Sequence, residues 1–240
     1  MTSRKLRFAI VGNTYQAKKS ASVQKILNCL AMHEAEVCME REFHRFLVHG
    51  QHLSLDGVEV FDGNDFEADF TVSMGGDGTF LKTASMVGEK QIPIIGVNTG
   101  RLGFLADINP PEIDPMVQAI YEGDYAIDTR TVLQVETDGQ PLAGCPFALN
   151  DVAILKRDVA AMITVRTTIN GDYVTTYLAD GLVISTPTGS TAYSLSVGGP
   201  IIVPGTHVFS ITAVAPHSLN VRPLVLSEDS EITLTVESRS

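Results

Sequence analysis

Short, continuously apolar runs alternate with amphipathic stretches over the first half of the chain. Phe8-Ala9-Ile10-Val11, Phe70 to Met74 and Ile92 to Val97 are largely apolar and rich in β-branched residues, the pattern of strands covered on both faces. Ala21 to Glu34 places Val23, Ile26, Leu27 and Leu30 at helical spacing. This βα rhythm predicts a parallel sheet. Each strand-like run ends in Gly or Asn, and open parallel sheets hold their ligands beyond the carboxyl ends of the strands. Ligand loops are therefore expected at Gly12-Asn13, Gly75 to Thr79 and Asn98 to Gly103.

Pro110, Pro111 and Pro115 interrupt the rhythm. After a helical stretch near Asp114 to Glu122, strand follows strand. Met162 to Ile169 and Asp172 to Tyr177 flank Asn170-Gly171, a pair that supplies the positive φ angles of a tight primed turn. A second hairpin is expected around Ser227 to Ser230, joining Pro223-Leu-Val-Leu to Glu231-Ile-Thr-Leu-Thr-Val. The pattern divides the chain near residue 112 into an α/β lobe, 1–112, and a β-rich lobe, 113–240.

Composition narrows the function. The 240 residues are 44% hydrophobic and 19% charged, enough for a sizeable core. A net charge of −11 opposes nucleic acid and anionic membranes. No apolar run approaches the roughly 18 residues of a membrane span, and Met1 to Arg7 leads into a strand without a cleavage signal. Cys29, Cys38 and Cys145 lack metal or redox spacing, as expected of reduced thiols in a cytoplasmic protein. His33, His44, His49, His52, His207 and His217 show no metal-ligand spacing either. Ser190 is not in a G-x-S-x-G elbow, and no G-x-x-x-x-G-K-[ST] loop occurs.

The segment Gly75-Gly76-Asp77-Gly78-Thr79 stands between a strand and the helical Phe80-Leu-Lys-Thr-Ala-Ser-Met. Glycines let a phosphate approach the backbone, and the free amides of a helix N-terminus favour an anion. A carboxylate in such a cradle is costly unless it binds a metal or takes a proton from a nucleophilic hydroxyl. A helix-capping role for Asp77 is the plainer alternative. Further on, Thr167 to Val221 contains no Lys or Arg. Its hydroxyls, at Ser185, Thr186, Thr188, Ser190, Thr191 and Ser194, suit ribose and base edges better than phosphates, and Tyr193 offers a ring for stacking.

The Gly-Gly-Asp-Gly string resembles a signature shared by NAD kinases, diacylglycerol and sphingosine kinases, and phosphofructokinases. The block Asp180-Gly-Leu-Val-Ile-Ser-Thr-Pro-Thr-Gly-Ser-Thr-Ala-Tyr193, continuing Ser-Leu-Ser-Val-Gly-Gly-Pro200, resembles that of NAD kinases. So do Gly96 to Leu105, Leu149-Asn150-Asp151, Pro216 to Leu219 and Arg222-Pro223. The resemblance covers nearly the whole chain. It implies that the first lobe is an α/β nucleotide-binding lobe, Rossmann-like and phosphofructokinase-like, and that NAD is phosphorylated to NADP in a cleft between the lobes. The donor would be ATP or polyphosphate, with Mg²⁺ as the divalent cation and no fixed protein metal site. A lipid kinase and a non-catalytic dinucleotide-binding protein are the alternatives.

Carried over by position, the resemblance makes Asp77 the base for the adenosine-ribose 2′-hydroxyl. Gly75, Gly76 and Thr79 form the phosphate loop with Gly78. Asn150 and Asp151 hold the adenosine half, and Asp180, Thr191, Ala192, Tyr193, Ser194, Leu195, Ser196 and Ala215 complete the dinucleotide site. It also implies a homodimer or homotetramer. Leu178 stands where many bacterial members carry a basic residue, and Asp151 replaces the commoner Glu. Family members usually continue beyond the strand Glu231 to Val236 with further strands and a closing segment, whereas this sequence stops at Ser240; if it is truncated there, activity is expected to be lost even with all the named residues present. Lys82, Arg101, Lys156 and Arg157 are the cations nearest in sequence to the expected loops.

Overall fold

The computed structural model describes residues 5–14, 20–100, 103–140, 142, 144–157 and 161–237. Arg101 lies outside them. The chain divides into two units, Met1–Ile127 and Asp128–Ser240.

The first unit runs β1 (Arg7–Gly12), α1 (Ser20–Met32), β2 (Glu36–Glu40), α2 (Arg41–Arg45), β3 (Glu59–Phe61), β4 (Phe70–Gly75), α3 (Asp77–Val87), β5 (Ile94–Asn98) and α4 (Ile113–Glu122). Its five strands are parallel in the order β3-β2-β1-β4-β5. Side chains alternate between the two covered faces, so Phe8 to Val11 is apolar at every position, while in β4 the small buried Thr71 and Ser73 alternate with Phe70, Val72 and Met74. Phe8 and Ile10 enter one core with Val23, Ile26 and Leu30 of α1 and Ile113, Val117 and Ile120 of α4. Ala9 and Val11 enter the other with Met86 and Val87 of α3. Ile26 and Leu30 are fully buried, each worth about 1.5–3 kcal/mol.

The strand order reverses direction between β1 and β4, which places the crevice for ligands at their carboxyl ends. Gly12 and Gly75 close these two strands, and the Asn13 amide donates to the Met74 carbonyl at 3.1 Å. The unit ends at Ile127 rather than near 112, because α4 lays its apolar stripe on the core shared with α1. Pro110 and Pro111 only punctuate its entry, in a 3₁₀ turn capped reciprocally by Asn109 and Glu112.

The second unit contains β6 (Leu133–Gln134), β7 (Phe147–Ala148), β8 (Asp151–Leu155), β9 (Ile163–Ile169), β10 (Asp172–Ala179), β11 (Gly181–Ser185), α5 (Tyr193–Ser196), β12 (Val208–Val214), β13 (Leu224–Ser227) and β14 (Ile232–Glu237). Two antiparallel sheets, β13-β12-β11-β8 and β10-β9-β14, and the pair β6-β7 make it up. Val165 and Tyr177 from one sheet share a core with Leu182, Ile184 and Ile211 from the other.

The Asn170-Gly171 hairpin forms as expected, with φ angles of 52° and 86°. The hairpin expected at Ser227 to Ser230 does not form. β13 pairs with β12, and β14 pairs with β9 in the other sheet. Register with β9 is set where Asn170 and Glu231 exchange bonds: the Asn170 amide donates to the Glu231 carbonyl and Glu231 N–H to Asn170 Oδ1. The turn residues are thus a crossing between sheets, which alternation along the chain does not distinguish from a hairpin. Among the described residues no helix is long and apolar enough to cross a membrane.

Candidate active site

In the first unit, β4 runs directly into α3. Gly76 is the N-cap, in extended backbone, and no side chain caps the helix. Asp77 is therefore not a cap. Its carboxylate accepts three amides from the loop beyond β5: Phe104 N–H at 2.9 Å on Oδ2, and Leu105 and Ala106 N–H at 2.9 and 3.3 Å on Oδ1. Burial alone would push the Asp77 carboxyl up, but these three bonds outweigh it and hold it below its ordinary value. The group is a fixed anion with acceptor capacity left on Oδ2.

Three glycines shape this site for stated reasons. A Cβ on Gly75 would overlap the buried Thr79 side chain, so this glycine lets α3 pack close to its own strand. A Cβ on Gly103 would lie 2.7 Å from Asp77 Cγ and inside contact of Oδ1. A Cβ on Gly78 would meet nothing within 4 Å, and Gly78 is exposed. The first two serve the fold and the carboxylate; the third leaves open backbone beside it.

In the second unit, the Tyr193 amide at the start of α5 donates to the Asp151 carboxylate. Burial pushes that carboxyl up, and the amide offsets only part of the rise. A Cβ on Gly189 would run into the Asn150 backbone, 2.7 Å from its Cα, so the Thr-Gly-Ser turn lies against the Asn-Asp pair. Thr191, Leu195 and Ser196 are exposed and Ala192 and Tyr193 half-buried. Ala215 follows β12 with φ of 44°, a left-handed position that strains any residue with a Cβ.

Several hydroxyls expected at the ligand are structural instead. Thr186 Oγ1 donates to the Leu149 carbonyl at 2.6 Å and accepts from Gly189 N–H. Ser185 Oγ donates to the Thr186 carbonyl, and Ser190 Oγ to that of Pro187. Ser194 is fully buried, its Oγ against Gly199 and without a partner among the described residues. A sequence read as a row of donors is, for these four, the inner lining of a turn.

Comparison with known proteins decides the family. Family models match the ATP-NAD kinase N-terminal domain over residues 8–125 and the ATP-NAD kinase C-terminal domain over 149–240. The NAD kinase of Bacteroides fragilis is 57% identical over 235 residues, covering 98% of this chain and 81% of that protein. The NAD kinase of Porphyromonas gingivalis is 44% identical over 234 residues, with the same coverage. The chain belongs to the NAD kinase family.

A solved NAD kinase structure agrees with this assignment. An NAD kinase from Archaeoglobus fulgidus in complex with ATP superposes with a TM-score of 0.71 at 28% identity, over 97% of this chain and 81% of that one. Yeast NADH kinase complexed with NADH gives 0.82 at 24% identity, over 99% and 74%, and shares the fold. The lipid-kinase alternative, which rested on the Gly-Gly-Asp-Gly string alone, gives way to the NAD kinase assignment.

Three cations singled out in the sequence lie among the described residues. Lys82 Nζ is 2.6 Å from Glu40 Oε1 and 3.6 Å from Glu42. Lys156 Nζ is 2.7 Å from Asp180 Oδ1, both side chains mostly buried, so a residue expected to meet the dinucleotide is already ion-paired. Arg157 is exposed. Arg130 Nη1 donates to Thr188 Oγ1 at 3.4 Å, so cations from outside Thr167 to Val221 do reach that stretch. Sequence reasoning missed the 104–106 amides as the seat of Asp77. The signal was present: a glycine and three consecutive amides in the loop already marked by resemblance.

Proposed function

We propose that the chain transfers the γ-phosphoryl group of ATP to the 2′-hydroxyl of the adenosine ribose of NAD, giving NADP. The observation that carries this reading is the Asp77 carboxylate, held as an anion by three amides beside the open backbone of Gly78. Oδ1 accepts two of the three bonds, which leaves Oδ2 to receive the ribose hydroxyl. The 2′-oxygen attacks phosphorus, the bond to the β,γ-bridging oxygen breaks, and the hydroxyl proton passes to Oδ2.

An anion stabilised this far is a weak base. It takes the proton late, once the new O–P bond has acidified the hydroxyl, and acts first by aiming it. That fits phosphoryl transfer, which depends mainly on positioning and charge neutralisation. Gly76 and Gly78 would present the N-terminal end of α3 to phosphate, with Gly75 and the buried Thr79 packed against each other as support for the loop. Among the described residues no three His, Cys, Asp or Glu side chains converge as a metal site. In this reading the divalent cation, Mg²⁺, comes with the donor's phosphates as part of the substrate.

The second unit would hold the adenosine half through Asn150, Asp151, Thr191, Ala192, Tyr193 and Ser196, with Asp180, Leu195 and Ala215 around them and Ser194 as internal support. Asp151 must be ionised to accept a ribose hydroxyl, and its pKa is raised by burial. The KM for NAD should therefore rise as pH falls toward that value, beginning above the ordinary Asp pKa of about 3.9, and Asp151→Asn should flatten the rise. A KM for NAD with the same pH dependence in the wild type and in Asp151→Asn would remove Asp151 from this role.

We also read the protein as cytoplasmic and as a homodimer or homotetramer. Cys29 and Cys38 are buried thiols outside any disulfide, in keeping with a reducing compartment. β10 is an edge strand among the described residues and exposes Tyr173, Val174 and Leu178. Light scattering gives the mass in solution. The decisive experiment incubates the protein with ATP, Mg²⁺ and NAD and measures NADP; NAD binding without NADP would leave a non-catalytic dinucleotide-binding protein.

A further inference from the structure

The stretch from Thr167 to Val221 holds most of the proposed dinucleotide residues and contains no Lys or Arg. Its proposed ligand is anionic through the pyrophosphate, and the chain itself carries a net charge of −11. A carboxylate at such a site repels the ligand unless a cation answers it. Asp180 is answered from another strand. Lys156 Nζ lies 2.7 Å from Asp180 Oδ1, with 23% and 31% of the two side chains exposed. Arg130 meets the turn at Thr188, beyond the other end of β11, so the two cations serve different ends of that strand.

The pairing is built into the sheet. β8 and β11 run antiparallel with Leu155 opposite Gly181, so the next pair outward is Lys156 and Asp180. The Lys156 amide donates to the Asp180 carbonyl and the Asp180 amide to the Val214 carbonyl, both at 2.9 Å. Ala215, with its φ of 44°, follows directly at the same end, and backbone strain of this kind gathers at functional sites. Stability alone is a poor reason for the pair, because desolvating two charges consumes most of their attraction. What the site gains is charge balance.

Asp151 stands opposite Ser185 at the far end of the same two strands. Its backbone is about 17 Å from that of Lys156 at the usual rise per residue, a span that an extended dinucleotide covers. We propose that Lys156 is a positioning residue of the dinucleotide site: it neutralises Asp180 and holds its carboxylate in place, so that an anionic dinucleotide is admitted to a stretch with no cation of its own. The inference rests on the kinase reading and adds to it the source of the positive charge.

Calorimetry of the intact protein with NAD alone reads the effect apart from turnover. In Lys156→Met the unanswered Asp180 repels the ligand. The Kd should rise about tenfold at an ionic strength of about 0.01 M and only about twofold at about 1 M, where charges are screened beyond about 3 Å. Lys156→Arg should keep the shallow salt response of the wild type, and so should Lys156→Met/Asp180→Asn, in which neither charge remains. If Lys156→Met does not fold, Asp180→Asn carries the test with the opposite sign: the lone ammonium attracts the ligand, so binding weakens with salt more steeply than in the wild type. A loss in Lys156→Met that is equal at both salt concentrations marks a merely structural role and overturns the proposal. So does a double variant that keeps the salt response of Lys156→Met, or an Asp180→Asn that responds to salt like the wild type. NAD bound without NADP formed defeats the kinase reading alone, and the salt comparison still decides Lys156; no binding of NAD by the wild type overturns both.

Discussion

Asp77→Asn should lower kcat by about 10²–10⁴-fold, the usual contribution of a positioned acid–base group, while NAD binding stays nearly intact. The structure adds a second consequence. Phe104, Leu105 and Ala106 all donate to this carboxylate. A side-chain amide accepts only on its oxygen, so the nitrogen introduced by the substitution would face a backbone N–H, donor against donor. The loop should loosen, at a cost of about 1–3 kcal/mol for the unmet amide.

The two effects separate by pH. The Asp77 pKa is depressed in the folded protein, so its stabilisation is present above the ordinary carboxylate value of about 3.9 and is lost as pH falls through the folded value. Melting curves of wild type and variant should differ at neutral pH and converge in acid. For the same reason no kinetic ionisation of Asp77 is expected between about pH 5 and 8. Wild-type turnover by the variant would remove Asp77 from the chemistry.

Gly103→Ala should cost about 10²-fold or more in kcat with only a modest loss of stability. The atom its methyl group would strike is the far end of the Asp77 side chain, which can swing away at small cost to the fold. It cannot do so and keep its bonds to the three amides, and a displacement of about 1 Å at the reacting centre is enough for about a hundredfold loss. Gly78→Ala is the opposite case. Its methyl group meets nothing within 4 Å, and alanine is favoured over glycine inside a helix by roughly 0.5–1 kcal/mol. That variant should melt slightly higher and still turn over more slowly, because its backbone is where phosphate is expected to lie. If both variants behave like wild type in steady-state assays, neither loop touches the reaction.

Much of the fold was legible because periodicity reports which faces are buried. The run at Phe8 is apolar at every position because helices cover the sheet on both sides, and in the run at Phe70 the two polar residues, Thr71 and Ser73, are small and buried. Asn170-Gly171 announced its hairpin because few other residues tolerate two positive φ angles in succession. The same reasoning failed at Ser227 to Ser230, where local turn chemistry is compatible with a hairpin but β14 finds its partner in β9, far earlier in the chain. It failed also at Pro110-Pro111, which look like a boundary although the apolar stripe of α4 belongs with α1.

In the candidate site, residue identity pointed to Asp77, Asn150, Asp151 and the Thr-Ala-Tyr turn through a long run of matching residues. Direction was not legible. Ser185, Thr186 and Ser190 read as ligand donors, and they bond carbonyls of the turn they belong to or of the segment packed against it.

The chain by itself determined a parallel α/β unit followed by antiparallel strands, the loops at the strand ends, and the family to which these motifs belong. These follow from short-range pattern and from strings of residues that chance does not assemble. Only the tertiary structure decided that Asp77 is clasped by the 104–106 amides, that Lys156 answers Asp180, and that Glu40, paired with Lys82 through one oxygen, keeps the other buried without a donor. Each of these depends on residues well separated in sequence, and hydrogen bonds at that separation are set by how strands and helices are laid side by side, which no local pattern encodes.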